Sequence, residues 1–131
     1  GSGKSSLIND ILKEALLASG RRERNAKLSG SICDALLSPS PGEITFEILR
    51  RLLAGSVVAS DDEVRSAIRF AYHELKLVLE PGGAIGLAAL LSGRLRTEGR
   101  TVACVLSGGN VDPALFAQIT NAAGSPTTTG R

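Results

Sequence analysis

The chain has 131 residues, enough for one compact domain, and its 43% apolar and 21% charged content is ordinary for a globular protein. A net charge of +2 is too weak to argue for a nucleic-acid or anionic-membrane partner, and 3% aromatics without Trp make a single-strand-binding module an unexpected reading. No apolar run approaches the ~20 residues of a membrane span, and no secretory signal opens the chain.

Residues 5–19 read as an amphipathic helix, with Leu7, Ile8, Ile11, Leu12, Ala15 and Leu16 on one stripe and Gly20 as its stop. Residues 21–29 are charged and lack periodicity, as expected of a solvated linker. Ser40-Pro41-Gly42-Glu43 combines a cap, an N1 proline and a capping-box acid, predicting a helix that turns Ile44, Ile48, Leu49, Leu52 and Leu53 inward. Residues 56–59 are a short strand candidate. Ser60-Asp61-Asp62-Glu63 is a second capping box, and its helix is expected to run to about Leu79 with Val64, Ala67, Ile68, Ala71, Leu75 and Val78 inside. Glu80-Pro81-Gly82-Gly83 breaks it. A small-residue helix follows from Ala84 to about Arg96, then a buried-type strand over 101–106, and a last helix opened by Asp112-Pro113. Residues 121–131 have the composition of a disordered tail. Strands alternating with helices predict an α/β fold, a partial open parallel sheet with covering helices.

The strand over 101–106 runs into Ser107-Gly108-Gly109-Asn110. Ligands gather at the carboxyl ends of strands in open α/β sheets, so Ser107 is a candidate contact, although the same residues also suit an ordinary turn. Asp61, Asp62 and Glu63 could suggest a metal cluster but serve better as a capped helix start, so no metal ligand is assigned. The lone His73 sits within a helix and reads as structural. Cys33 and Cys104 match neither a zinc nor a redox spacing; both are expected as reduced core thiols, with the cytoplasm as the default compartment.

Two resemblances sharpen these readings. Gly3-Lys4-Ser5, read on through Leu7-Ile8-Asn9-Asp10, looks like a nucleotide-binding loop of the ATPase subunit of bacterial excinuclease, which implies ATP binding as an alternative function. A P-loop needs a preceding strand and a first glycine, neither of which stands before Gly3 in this sequence. From about residue 29 to 118 the order Ile32-Cys33-Asp34-Ala35, Pro41-Gly42-Glu43, Ser60-Asp61-Asp62-Glu63-Val64, Glu80-Pro81-Gly82-Gly83-Ala84 and Leu106-Ser107-Gly108-Gly109-Asn110 is similar to the threonine dehydratase and serine racemase family.

That second resemblance implies a pyridoxal-phosphate enzyme of the tryptophan-synthase-β fold type, of which this would be half a domain. It implies β-elimination of a small hydroxy amino acid to a 2-oxo acid and ammonia. It also implies cofactor contacts: Ser107 to the pyridine nitrogen, Ala35 against the ring, Glu80 as a nearby carboxylate, Gly82 and Gly83 giving backbone room, and Gly108 and Gly109 supporting the turn. Glu80 reads equally as a helix-end carboxylate. None of the lysines Lys4, Lys13, Lys27 and Lys76 sits in the family's cofactor-anchoring motif, and no glycine-rich phosphate loop occurs, so no catalytic residue is assigned. The expected organisation is an N-terminal helix and linker of different origin over 1–28, a partial dehydratase-like domain over 29–120, and a tail over 121–131. With Gly1-Ser2-Gly3-Lys4 at its start, the chain is expected to be a fragment or fusion. It is expected to be inactive alone and open to a complementary half-domain or to self-association.

Overall fold

The computed structural model describes residues 30–33, 40, 42–52, 54–55 and 57–122. The helix expected over 5–19, the linker, and the tail beyond residue 122 lie outside them. Among the described residues the α-helices are α1 (Glu43–Leu52), α2 (Asp61–Phe70), α3 (Pro81–Leu91) and α4 (Pro113–Asn121), and a π-helical turn, Ala71–Leu75, extends α2.

Local sequence explains where α2 begins. The Glu63 N–H donates to Ser60 Oγ at 3.3 Å, and the Ser60 N–H donates to Glu63 Oε2 at 2.7 Å. This reciprocal box satisfies amides that a helix start leaves without partners. Asp61, Asp62 and Glu63 then lie at the positive end of the helix dipole. In α4, Pro113 occupies the first turn and Asp112 accepts from the Leu115 N–H at 2.8 Å.

The core is the seam between α2 and α3, closed by α4. Val64, Ala67, Ile68 and Ala71 face Ala84, Leu87 and Ala88, with Leu79, Ile119, Ala59 and Cys33 completing the cluster. Ile32, Cys104, Leu106, Leu115 and Phe116 pack around it half-buried. Alanines on the seam let the two helices approach closely.

Several expectations need correction. Helix α1 opens at Glu43, with the Gly42 carbonyl accepting from the Phe46 N–H, so Glu43 starts the helix instead of lying three residues inside it. Its inward residue is Phe46. Ile44, Ile48 and Leu52, spaced by four residues, lie on a face that no described residue covers; Ile44 is 79% exposed. Helix α2 does not run to Leu79. The π-helical turn inserts an extra residue, which rotates the apolar stripe by about 100°, and Lys76 (φ 59°) ends the helix. Leu75 and Val78 consequently turn outward and Leu79 turns in. Helix α3 begins at Pro81, so Gly82 and Gly83 lie in its first turn rather than in a break before it, and it stops at Leu91 instead of Arg96.

Neither strand candidate forms a ladder among the described residues. The stretch over 101–106 is also not buried as expected. Cys104 and Leu106 pack toward the core, whereas Val105 is 82% exposed and Val102 is largely open. A strand buried on both faces needs helices on both sides, and here α3 covers one.

Candidate functional site

The stretch over 101–107 runs antiparallel to α3 and touches it where α3 has glycine. A Cβ on Gly86 would lie 3.1 Å from Cys104 Sγ. At Gly83 the approach is closer, because a Cβ there would coincide with the Ser107 carbonyl oxygen. No side chain fits at that point, so glycine in the first turn of α3 sets the position of Ser107.

The next residues are held by the segment leading into α3. Gly108 adopts φ +77°, a left-handed conformation that glycine takes without strain, and its carbonyl accepts from the Glu80 N–H at 3.1 Å. The Glu80 carboxylate lies against Gly108, where a Cβ would clash with Oε1. Gly109 packs on the Val78 carbonyl in the same way, at 3.0 Å for a Cβ. The Ser107–Gly109 turn is therefore fixed residue by residue against Val78, Glu80 and Gly83.

Ser107 itself is exposed and lines a cleft of about 890 Å³. Gly82, Gly83, Gly86 and Ala89 of α3 form one wall, Val102 to Val105 another, and Ala54, Gly55 and Val57 close the side. Arg94 reaches into this lining from the loop after α3. Its guanidinium donates to the Val58 carbonyl at 2.6 Å and to both oxygens of Glu63. Burial pushes the Glu63 carboxyl up, but the Ser60 N–H, the Arg94 guanidinium and the Ser60 hydroxyl outweigh it and hold the group below its ordinary value.

Of the residues singled out by sequence, Ser107, Gly82, Glu80 and Gly108 come together at one end of α3. Ala35, and the Gly3, Lys4 and Ser5 of the nucleotide-binding alternative, lie outside the described residues. Cys33 is buried, and Cys104 is only half-buried. His73 is exposed beside Tyr72 in the π-helical turn. Lys76 donates Nζ to the His73 carbonyl at 2.6 Å, closing that turn. No cluster of potential metal ligands occurs among the described residues, and none of their helices is long and apolar enough to cross a membrane. Sequence reasoning missed Arg94, which it placed inside a helix, and Val78, which it placed in a core. No local pattern marks either: Arg94 meets Glu63 across 31 positions.

A family model described as "Pyridoxal-phosphate dependent enzyme" matches residues 8–108. The chain belongs to that family, whose cofactor is pyridoxal phosphate. Among its relatives is the L-threonine ammonia-lyase of Thermotoga maritima, 35% identical over 109 residues, which cover 82% of this chain and 27% of that protein. The crystal structure of a T.th. threonine deaminase superposes with a TM-score of 0.71 at 36% identity, covering 80% of this chain and 38% of that one. Maize serine racemase superposes with a TM-score of 0.73 at 30% identity, covering 84% and 35% respectively. The fold is thus that of an α/β pyridoxal-phosphate domain, although no strand pair forms among the described residues. The chain spans well under half the length of each of these proteins.

Proposed function

We propose that this chain carries the ring-nitrogen side of the cofactor site of a hydroxy-amino-acid ammonia-lyase, within an open-sheet domain of the tryptophan-synthase-β type. The observation that carries the reading is Ser107: an exposed hydroxyl on the wall of an 890 Å³ cleft, its backbone fixed against Gly83. The donor set fits one edge of pyridoxal phosphate. A neutral hydroxyl suits a pyridine nitrogen, and Gly82 on the same cleft wall adds no side-chain bulk. Ala35 is assigned to the ring face by resemblance.

Pyridoxal phosphate, when bound, supplies an electron sink that stabilises negative charge on the substrate α-carbon. Ser107 tunes that sink. Its hydroxyl leaves the nitrogen largely unprotonated, which weakens the sink and favours loss of a β-hydroxyl over other fates of the carbanion. Gly83 and Gly108 hold Ser107 in place.

The cofactor-anchoring lysine is assigned to a complementary segment. Lys76, the one lysine among the described residues, is engaged at the π-helical turn, and Lys4, Lys13 and Lys27 sit in no anchoring motif. The chain alone is accordingly inactive. The test is to incubate it with pyridoxal phosphate and threonine, with and without the complementary amino-terminal segment of the Thermotoga maritima enzyme. Release of 2-oxobutanoate is expected only with the segment, and Ser107→Ala should lower it about two- to tenfold, the worth of one neutral hydrogen bond. Release without the segment would overturn the inactivity, and indifference to Ser107→Ala would overturn the role of Ser107.

A further inference from the structure

We infer that Glu80 is a positioning residue, whose side chain holds the Ser107–Gly109 turn in the shape that presents the Ser107 hydroxyl to the cleft. This role deepens the cofactor reading and rests on it for what Ser107 contacts. Glu80 occupies the N-cap position of α3 in an extended conformation, φ −76° and ψ 159°, yet its carboxylate accepts no helix N–H. Short N-cap side chains such as Asp take that bond, and the longer Glu is not a usual cap, which leaves the carboxylate available for another contact. Here the side chain turns to the neighbouring loop instead and lies on Gly108, while the Glu80 N–H bonds the Gly108 carbonyl from the main chain. One residue therefore grips Gly108 twice.

The grip matters because Gly108 is the joint of the turn. Its left-handed φ is what lets Ser107 meet Gly83 while Gly109 meets Val78. With Ser107 and Gly109 both against backbone, the remaining freedom is rotation about Gly108, and the Glu80 carboxylate occupies the side of Gly108 on which a Cβ would project. A carboxylate turned onto the main chain in this way is placed to hold a backbone shape, and a hydroxyl displaced by even a fraction of an ångström is a poorer partner for a ring atom. Neither an acid–base role nor a helix cap accounts for this contact.

Amide hydrogen exchange on the full 131-residue chain tests the role. Glu80→Ala should speed exchange of the residue-80 amide, the donor to Gly108, by about tenfold through local opening of the turn. Glu80→Gln keeps the shape of the side chain and should leave exchange within about twofold of the parent. Unchanged exchange in Glu80→Ala would overturn the role, and so would equal acceleration in both variants, because shape would then not be what holds the turn. A thermal-melting cycle provides a second readout. Gly108→Ala should lower Tm less in the Glu80→Ala background than in the parent, because the clash with Glu80 is gone and only the strain of a left-handed alanine remains. Equal drops in both backgrounds would defeat the inference. Indifference of the complementation assay to Ser107→Ala would defeat the cofactor reading alone and leave these two results to decide Glu80.

Discussion

The two sides of α3 meet opposite fates. One side, Ala84, Leu87 and Ala88, is buried against α2; the other, Gly82, Gly86 and Ala89, faces the cleft and the stretch over 101–107. The helix has no charged residue, and a helix apolar all round belongs to an interior. On the α2 side short-range rules complete that interior: a capping box starts α2, and an apolar stripe meets small residues. On the cleft side the contacts are made by backbone and glycine, and the far face of residues 101–107 remains open. Packing of side chains secures the first side, and exclusion of side chains secures the second.

The sharpest way to break this contrast is Gly83→Ala. The added Cβ would coincide with the Ser107 carbonyl, which is backbone and cannot rotate away. The expected loss, from overpacking that only backbone movement can relieve, is about 4 kcal/mol. Urea denaturation measures it; a loss under about 1 kcal/mol would mean that α3 and Ser107 are not in contact in solution. On the other side, Ile68→Ala should cost about 3 kcal/mol by leaving a cavity at a fully buried position. These two effects rest on different physics. Enlarging the residue is harmful on the cleft side, and shrinking it is harmful on the α2 side.

How much of this was legible in the sequence follows the same division. The capping box at Ser60 and Glu63, the Asp112 cap and the stripe from Val64 to Ala71 were readable because each depends on residues three or four apart. The end of α2 was not. Leu75 and Val78 continue the stripe on paper, and nothing local announces a π-helical turn that shifts the register. The stretch over 101–106 reads as a buried strand because its composition is apolar, but burial requires cover that composition does not supply. At the site, Ser107 and its glycines were legible from a motif. Their engagement with Val78, Glu80 and Gly83 was not, since backbone contacts across more than twenty positions leave no periodic trace.

A smaller effect sharpens the α2 side. Ser60→Ala should cost about 1 kcal/mol, the usual worth of a helix cap, in thermal or urea melts. Its partner Glu63 adds a pH signature. The folded carboxyl sits below the unfolded value of 4.5, so its stabilisation is present above that pH and is lost as pH falls through the folded value. Glu63→Gln should therefore flatten the acid limb of stability below about pH 4.5 while changing little of its slope at neutral pH. An unchanged acid limb would show that Arg94 and Ser60 do not favour the charged form.

The smallest expected effect lies at Val105, and it sets a limit on the whole contrast. With 82% of its surface open, Val105→Ala should change stability by no more than about 0.5 kcal/mol at micromolar protein. A cost of about 2 kcal/mol would require the side chain to be covered in solution. Within a single chain that cover would have to come from residues beyond those described, and the loss would not depend on concentration. Cover by a second copy pairing along residues 101–107 would instead give a loss that grows with protein concentration, because dimer stability follows mass action. Melting Val105→Ala beside the parent over a hundredfold concentration range separates these cases. A small, concentration-independent difference would leave the far face of residues 101–107 open in solution.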